Sequence, residues 1–320
     1  MLADDVKARV AEGSDTPGRS CPLDYRYDPR ALGAGEPVLE SETVYVAGGV
    51  YGNAWALERL VAMARDERAV APVVLNGDFH WFDAEPTWFA RVDDLACAQH
   101  ALRGNVETEL GPERGEDGCG CAYPDFVDDL TVARSNAIIA RLRRTASAAR
   151  ARRLASLPMH ALLAIGGHRV AAVHGDAWSL AGWGFATESL LEPRARAAAA
   201  EAFAAARVDV FACSHTCLPL LRRVGDRALV INNGAAGMPN FHHTRFGVAT
   251  RISVHPSPHP VLYGARIGRL RVDAVAVPYD AAAFRAAFLA AWPEGSPAHA
   301  SYLDRIERGP RYQVAQAVAA

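Results

Sequence analysis

Four apolar segments of this chain each run into a side chain able to hold a metal or a phosphate. "VVLNGD" ends in Asp78, "ALRGN" in Asn105, "VAAVHGD" carries His174 and "VFACSH" ends in His215. One carboxylate, one amide oxygen and two imidazoles make a mixed hard and borderline donor set that suits Fe, Mn or Zn. Singly, each has an ordinary explanation. An Asp after Gly turns the chain or caps a helix, and a strand-end His is a hydrogen-bonded core residue. Together they are candidates because ligands in open α/β sheets gather outside the carboxyl ends of strands, where positions far apart in sequence converge.

The elements that must position these residues follow from hydrophobic period. Residues 43–48 read as a strand, 53–66 as a helix, 72–76 as a strand, 86–99 as a helix and 101–104 as a short strand. A loop over 108–124 carries "GCGC", and 125–155 reads as one long helical stretch. The period then becomes that of strands: "HALLAIGGHRVAAVHG" is a hairpin turned at Gly166-Gly167. "VDVFACSH", "LPLLRRV", "ALVINNG", "FGVATRISV" and "LRVDAVAV" are further strands, interrupted by a helix over 187–206. A helix near 280–292 and a tail containing Pro and Gly close the chain. Residues 1–40, rich in Gly, Pro and charge, read as an irregular extension, and 41–320 as a single domain. Alternating α/β followed by β-rich sequence predicts a four-layer αββα sandwich, two mixed β-sheets flanked by helices.

Bulk properties narrow the function. Half of the 320 residues are apolar, enough for a sizeable core. A net charge of −2 gives no broad case for nucleic acid or an acidic membrane, and the Arg run over 141–153 reads as a solvated helix face. The N-terminus has acidic residues and no apolar core, and no segment is apolar for long enough to span a membrane, so the expected location is cytoplasmic. Six spread cysteines then read as free thiols or metal ligands rather than a disulfide framework.

The series "GD" at 77–78, "GN" at 104–105, "HGD" at 174–176, "SHT" at 214–216 and "NNGAAGMP" at 232–239 resembles the calcineurin-like metallophosphoesterase family. The family pattern is D-x-H, then G-D, then G-N-H or G-N-C-D, then a strand-end His, then G-H-x-H. The resemblance implies two metals bridged by Asp78, with Asn105, His174 and His215 completing the shell of the second. The first metal would need the D-x-H pair and the last His of G-H-x-H. Here those positions hold Gly49, Tyr51 and Cys217. Val106 stands where many members have the general acid His, and Glu107 where the G-N-C-D branch has its acid.

Three outcomes are open for the altered half. Tyr51 fills the vacated volume beside a mononuclear site; or Tyr51 phenolate and Cys217 thiolate join Asp78 around a different metal; or Cys119 and Cys121 are recruited from the loop. Tyrosine ionises near pH 10, so phenolate ligation needs a strongly acidic ion such as ferric iron. The cofactor is therefore one or two divalent or trivalent transition metal ions. The expected function is hydrolysis of a phosphomonoester or phosphodiester of a small phosphorylated substrate by metal-bound hydroxide, with Asp78, Asn105 and His174 catalytic. Asn53, His80 and Gly104 are candidates for substrate contact. The alternatives are a non-catalytic scaffold on the same fold and a thiol-dependent metal or redox sensor.

Overall fold

The computed structural model describes residues 17–114 and 118–318. Its strands are β1 (Leu39–Ser41), β2 (Thr43–Ala47), β3 (Val73–Asn76), β4 (His100–Leu102), β5 (His160–Ile165), β6 (His168–Val173), β7 (Val210–Cys213), β8 (Leu220–Val224), β9 (Ala228–Asn232), β10 (Phe246–Ser253), β11 (Val261–Ile267) and β12 (Leu270–Pro278). They form two six-stranded sheets, ordered β11-β12-β10-β2-β3-β4 and β1-β5-β6-β7-β9-β8. Both are mixed. β2, β3 and β4 run parallel in the first, and β6, β7 and β9 run parallel in the second.

Strand alternation builds the layers. In β2, Val44 and Val46 point into the core between the sheets, where they meet Leu163, Val170 and Ile231 of the second sheet. Tyr45 and Ala47 point to the other face, against Leu57 and Leu60 of helix Ala54–Arg65 and Phe284 of helix Ala281–Ala291. Beyond the second sheet, Phe211 and Val230 pack on Phe203 of helix Pro193–Ala206. The order helix, sheet, sheet, helix is the four-layer sandwich that the sequence predicts.

Several local expectations are corrected. The stretch 125–155 is two helices, Asp129–Thr145 and Ala148–Ala155, each started by its own side-chain cap from Asp128 and Ser147. Its arginines are not simply solvated: Arg143 binds Glu109 and the Gly118 carbonyl, while Arg150 and Arg153 hold the buried Asp93. The closing tail contains helices Pro297–Arg308 and Val314–Val318, and β11 forms an edge strand. Of the extension assigned to 1–40, residues 1–16 lie outside the described residues. The remainder is packed: Tyr25 and Leu32 are buried, and β1 pairs in parallel with β5. Among the described residues, no helix is long and apolar enough to cross a membrane.

Candidate metal centre

The carboxyl ends of β3, β4, β6 and β7 carry Asp78, Asn105, His174 and His215 to one buried point between the two sheets. The sheets are clasped there by polar side chains. Asn76, the last residue of β3, donates to the Val173 carbonyl at the end of β6 (2.8 Å). Asn233, just past β9, donates to Gly48 and Val248 carbonyls (3.0 and 2.9 Å) and so ties the end of β2 to the opposite sheet. The approach is close enough to fix residue type. A Cβ on Gly104 would lie 2.8 Å from both the Asp78 backbone nitrogen and His174 Cε1.

Glu107 holds the two loops from the first sheet together. Its Oε2 accepts from the backbone N–H of Gly104 and of Asp78 (both 2.8 Å), and its Oε1 from Phe79 and His80 (3.0 and 3.3 Å). Burial, reinforced by the neighbouring Asp78, pushes its pKa up. With both oxygens spent on backbone donors, Glu107 positions Asp78 rather than facing a substrate.

Carbonyl partners fix which nitrogen of each neutral imidazole carries the hydrogen, because a carbonyl can only accept. His174 Nδ1–H donates to the Asn76 carbonyl (2.8 Å), which leaves Nε2 as the lone-pair nitrogen of the neutral ring. His215 Nε2–H donates to the Cys121 carbonyl (3.0 Å), leaving Nδ1 as a lone pair. These two lone-pair nitrogens lie 3.1 Å apart. His174 Nε2 is also 3.0 Å from Asn105 Oδ1 and 3.4 Å from Asp78 Oδ1. The Asn105 amide is turned this way because its Nδ2 donates to the Cys119 carbonyl (2.9 Å).

Four electron-rich atoms thus face one another with no donor among them, an arrangement that requires a cation or a proton at its centre. Donors about 2.1 Å from a tetrahedral metal are about 3.4 Å from each other, so the observed separations fit the group. Asp78, His174 and His215 each offer a ligand atom within 4.8 Å of the others. Electrostatics express the same demand for one positive charge. Burial opposes charging His174, but Asp78 beside it prevails and raises its pKa. Burial, followed by the neighbouring His174, pushes His215 down to about 3. Burial likewise opposes charge on Asp78, yet His174 holds its carboxyl below the usual range.

Beside this cluster the altered residues form a closed unit. Tyr51 is buried, and its hydroxyl is 2.6 Å from Cys217 Sγ. The Cys217 thiol donates to the His215 carbonyl (3.2 Å), so the phenol is the donor to sulfur. Burial, with Cys217 and Asp78 adding to it, raises the Tyr51 pKa well above 10, and burial raises that of Cys217. In the metal-free protein the pair is therefore held as phenol and thiol, hydrogen-bonded to each other. The loop cysteines differ from the expectation of free thiols or ligands: Cys119 and Cys121 are joined as a disulfide. What they contribute are backbone carbonyls that orient Asn105 and His215, a role invisible in side-chain identity.

The three residues offered to substrate are engaged internally. Asn53 is fully buried, capping its helix through Ala56 N–H (3.0 Å) and donating to the Gly237 carbonyl (2.9 Å). The Gly104 N–H is taken by Glu107. His80 is buried between Asp83 (2.5 Å) and Asp93 (3.6 Å) and stacks on Phe89. Burial opposes its charge, but Asp83 prevails and raises its pKa to about 9. Sequence reasoning passed over Asn76, Asn233 and Trp183, whose ring meets His215 edge-on at 5.4 Å.

Residues 46–253 match a family model described as the calcineurin-like phosphoesterase superfamily domain. The chain is similar to the crystal structure of a metallophosphoesterase from Sphaerobacter thermophilus at 19% identity and a TM-score of 0.52, over 84% of this chain and 100% of that one. It is also similar to a hypothetical protein from Pyrococcus horikoshii OT3 at 14% identity and a TM-score of 0.57, over 84% and 99% of the two chains. At these identities the likeness to solved structures concerns the fold alone. No curated protein matches the chain.

Proposed function

Because this chain belongs to the calcineurin-like phosphoesterase superfamily, we propose that it is a metal-dependent phosphoesterase working from one half of the family's site. The observation that carries this reading is the convergence of Asp78, Asn105, His174 and His215, beside a hydrogen-bonded Tyr51–Cys217 pair at positions where the family pattern has ligands. A transition metal held by these four residues supplies Lewis acidity and lowers the pKa of bound water. The chain's own residues do the rest. Glu107 fixes the Asp78 loop, the Asn76 and Cys121 carbonyls fix the two imidazoles in the ligating tautomer, and the Cys119 carbonyl aims the Asn105 oxygen at the cluster. The substrate is a small phosphorylated molecule of the cytoplasm, a mono- or diester.

The test is hydrolysis of p-nitrophenyl phosphate and bis(p-nitrophenyl) phosphate by protein reconstituted with Fe, Mn or Zn. Turnover with one of these metals, lost in Asn105→Ala and His174→Ala, supports the reading. The neutral Tyr51–Cys217 plug favours a second one, a non-catalytic binding protein on the same scaffold. Metal uptake without turnover of either ester would favour that alternative.

A further inference from the structure

An aromatic path leads outward from His215. The Trp183 indole N–H donates to the Cys121 carbonyl (3.0 Å), the same oxygen that orients His215, so its ring is held edge-on to that ligand. Tyr123 lies 6.1 Å from Trp183 with the rings tilted by 48°, and its hydroxyl is pinned by Ser135 (3.0 Å). Phe126 continues the path, edge-on to Trp183 at 6.0 Å, and is 69% exposed.

Burying an aromatic ring is worth more than burying most side chains, so a Phe left in water beside two half-buried aromatics is a costly surface feature. Other exposed apolar residues, such as Leu23 and Val70, have no such line to the metal centre and are ordinary. Resting on the phosphoesterase reading above, we propose that Tyr123, Phe126 and Trp183 form a stacking wall that selects phosphate esters carrying a planar aromatic group. Ring faces stack on any flat π-system, so the shared chemistry covers both an aryl ester and a nucleotide base. A methyl or glyceryl ester offers no such face.

The experiment is calorimetric binding of phenylphosphonate, methylphosphonate and adenosine 5′-monophosphate to metal-loaded protein, with metal content measured on every variant. Wild type is expected to bind phenylphosphonate roughly tenfold more tightly than methylphosphonate. That ratio should fall to about twofold in Trp183→Leu and roughly threefold in Phe126→Ala, and recover in Trp183→Phe. Phe126, being exposed, keeps the test open if Trp183→Leu misfolds. Adenosine 5′-monophosphate binding more tightly than phenylphosphonate would name the base as the source of the ring, and the reverse order would name an aryl ester. Equal affinity for phenyl- and methylphosphonate in wild type, or an unchanged ratio in both Trp183→Leu and Phe126→Ala, overturns the proposal. Turnover is measured separately with phenyl phosphate and glycerol phosphate. Absence of both activities sinks the phosphoesterase reading while the binding ratio still reports on the wall.

Discussion

The Tyr51 ring occupies the space that a Gly49 side chain would need: a Cβ on Gly49 would sit 2.8 Å from Tyr51 Cε2 and 3.1 Å from Cζ. Gly49 also adopts φ 64°, a backbone region that suits glycine. The missing ligand at 49, the phenol at 51 and the thiol at 217 are therefore one structural substitution. The phenol fills the volume and the thiol sulfur accepts its hydrogen bond.

This coupling is measurable. Gly49→Ala is expected to destabilise the protein by roughly 2–3 kcal/mol, combining backbone strain with overpacking. In a Tyr51→Ala background most of the overpacking is relieved, leaving the Ala235 Cα 3.2 Å from the new Cβ, so the cost of Gly49→Ala should fall to about 1–2 kcal/mol. Urea unfolding of the four proteins in this cycle checks it. Additive effects would show that the ring does not exclude the side chain.

Glu107→Gln replaces one carboxylate oxygen by an NH₂ facing backbone donors of the Asp78 and Gly104 loops. A loss of about 2–3 kcal/mol is expected from unmade charge-assisted hydrogen bonds, together with weaker metal binding through the displaced Asp78. Thermal unfolding without metal and competitive chelator titration separate the two effects. Wild-type values in both would remove Glu107 from its positioning role.

The large features were legible in the sequence because they rest on strong patterns. The apolar strands, the Asn53 cap and the strand-end ligands announce themselves within a few residues. The edge strand β11 was missed because only Tyr263 and Ile267 of its seven residues are buried and Gly264 interrupts it, so no clean alternation survives. The Ser147 cap that splits 125–155 is a local signal masked by the Arg/Ala composition around it. In the site, the convergence of Asp78, Asn105, His174 and His215 was readable, whereas the work of Glu107, Cys119 and Cys121 was not. Their decisive bonds run to or from backbone groups, which leave no mark on sequence. The Tyr51–Cys217 bond spans 166 positions, so only the fold reveals it.

Acid stability should depend on Asp93. Burial opposes its charge, but His80, Arg150 and Arg153 lower its pKa from 3.8 to about 2. A depressed carboxylate contributes stability that is present above its unfolded pKa and lost as pH falls through the folded one. Asp93→Asn is therefore expected to cost roughly 2 kcal/mol at pH 6, with the difference from wild type shrinking between about pH 4 and 2. Denaturant midpoints across that range check it. A difference independent of pH would mean that Asp93 matters by packing alone.

The central claim is a single-metal half-site beside a neutral Tyr51–Cys217 plug, and metal content per chain tests it most directly. Plasma mass spectrometry would be run on protein loaded with Fe, Mn or Zn and desalted, for wild type, Asp78→Ala, Tyr51→Phe and Cys217→Ala. The account predicts about one metal per chain, lost in Asp78→Ala and retained in Tyr51→Phe and Cys217→Ala. Two metals per chain in wild type, one of them lost with Tyr51 or Cys217, would contradict it, as would no metal at all.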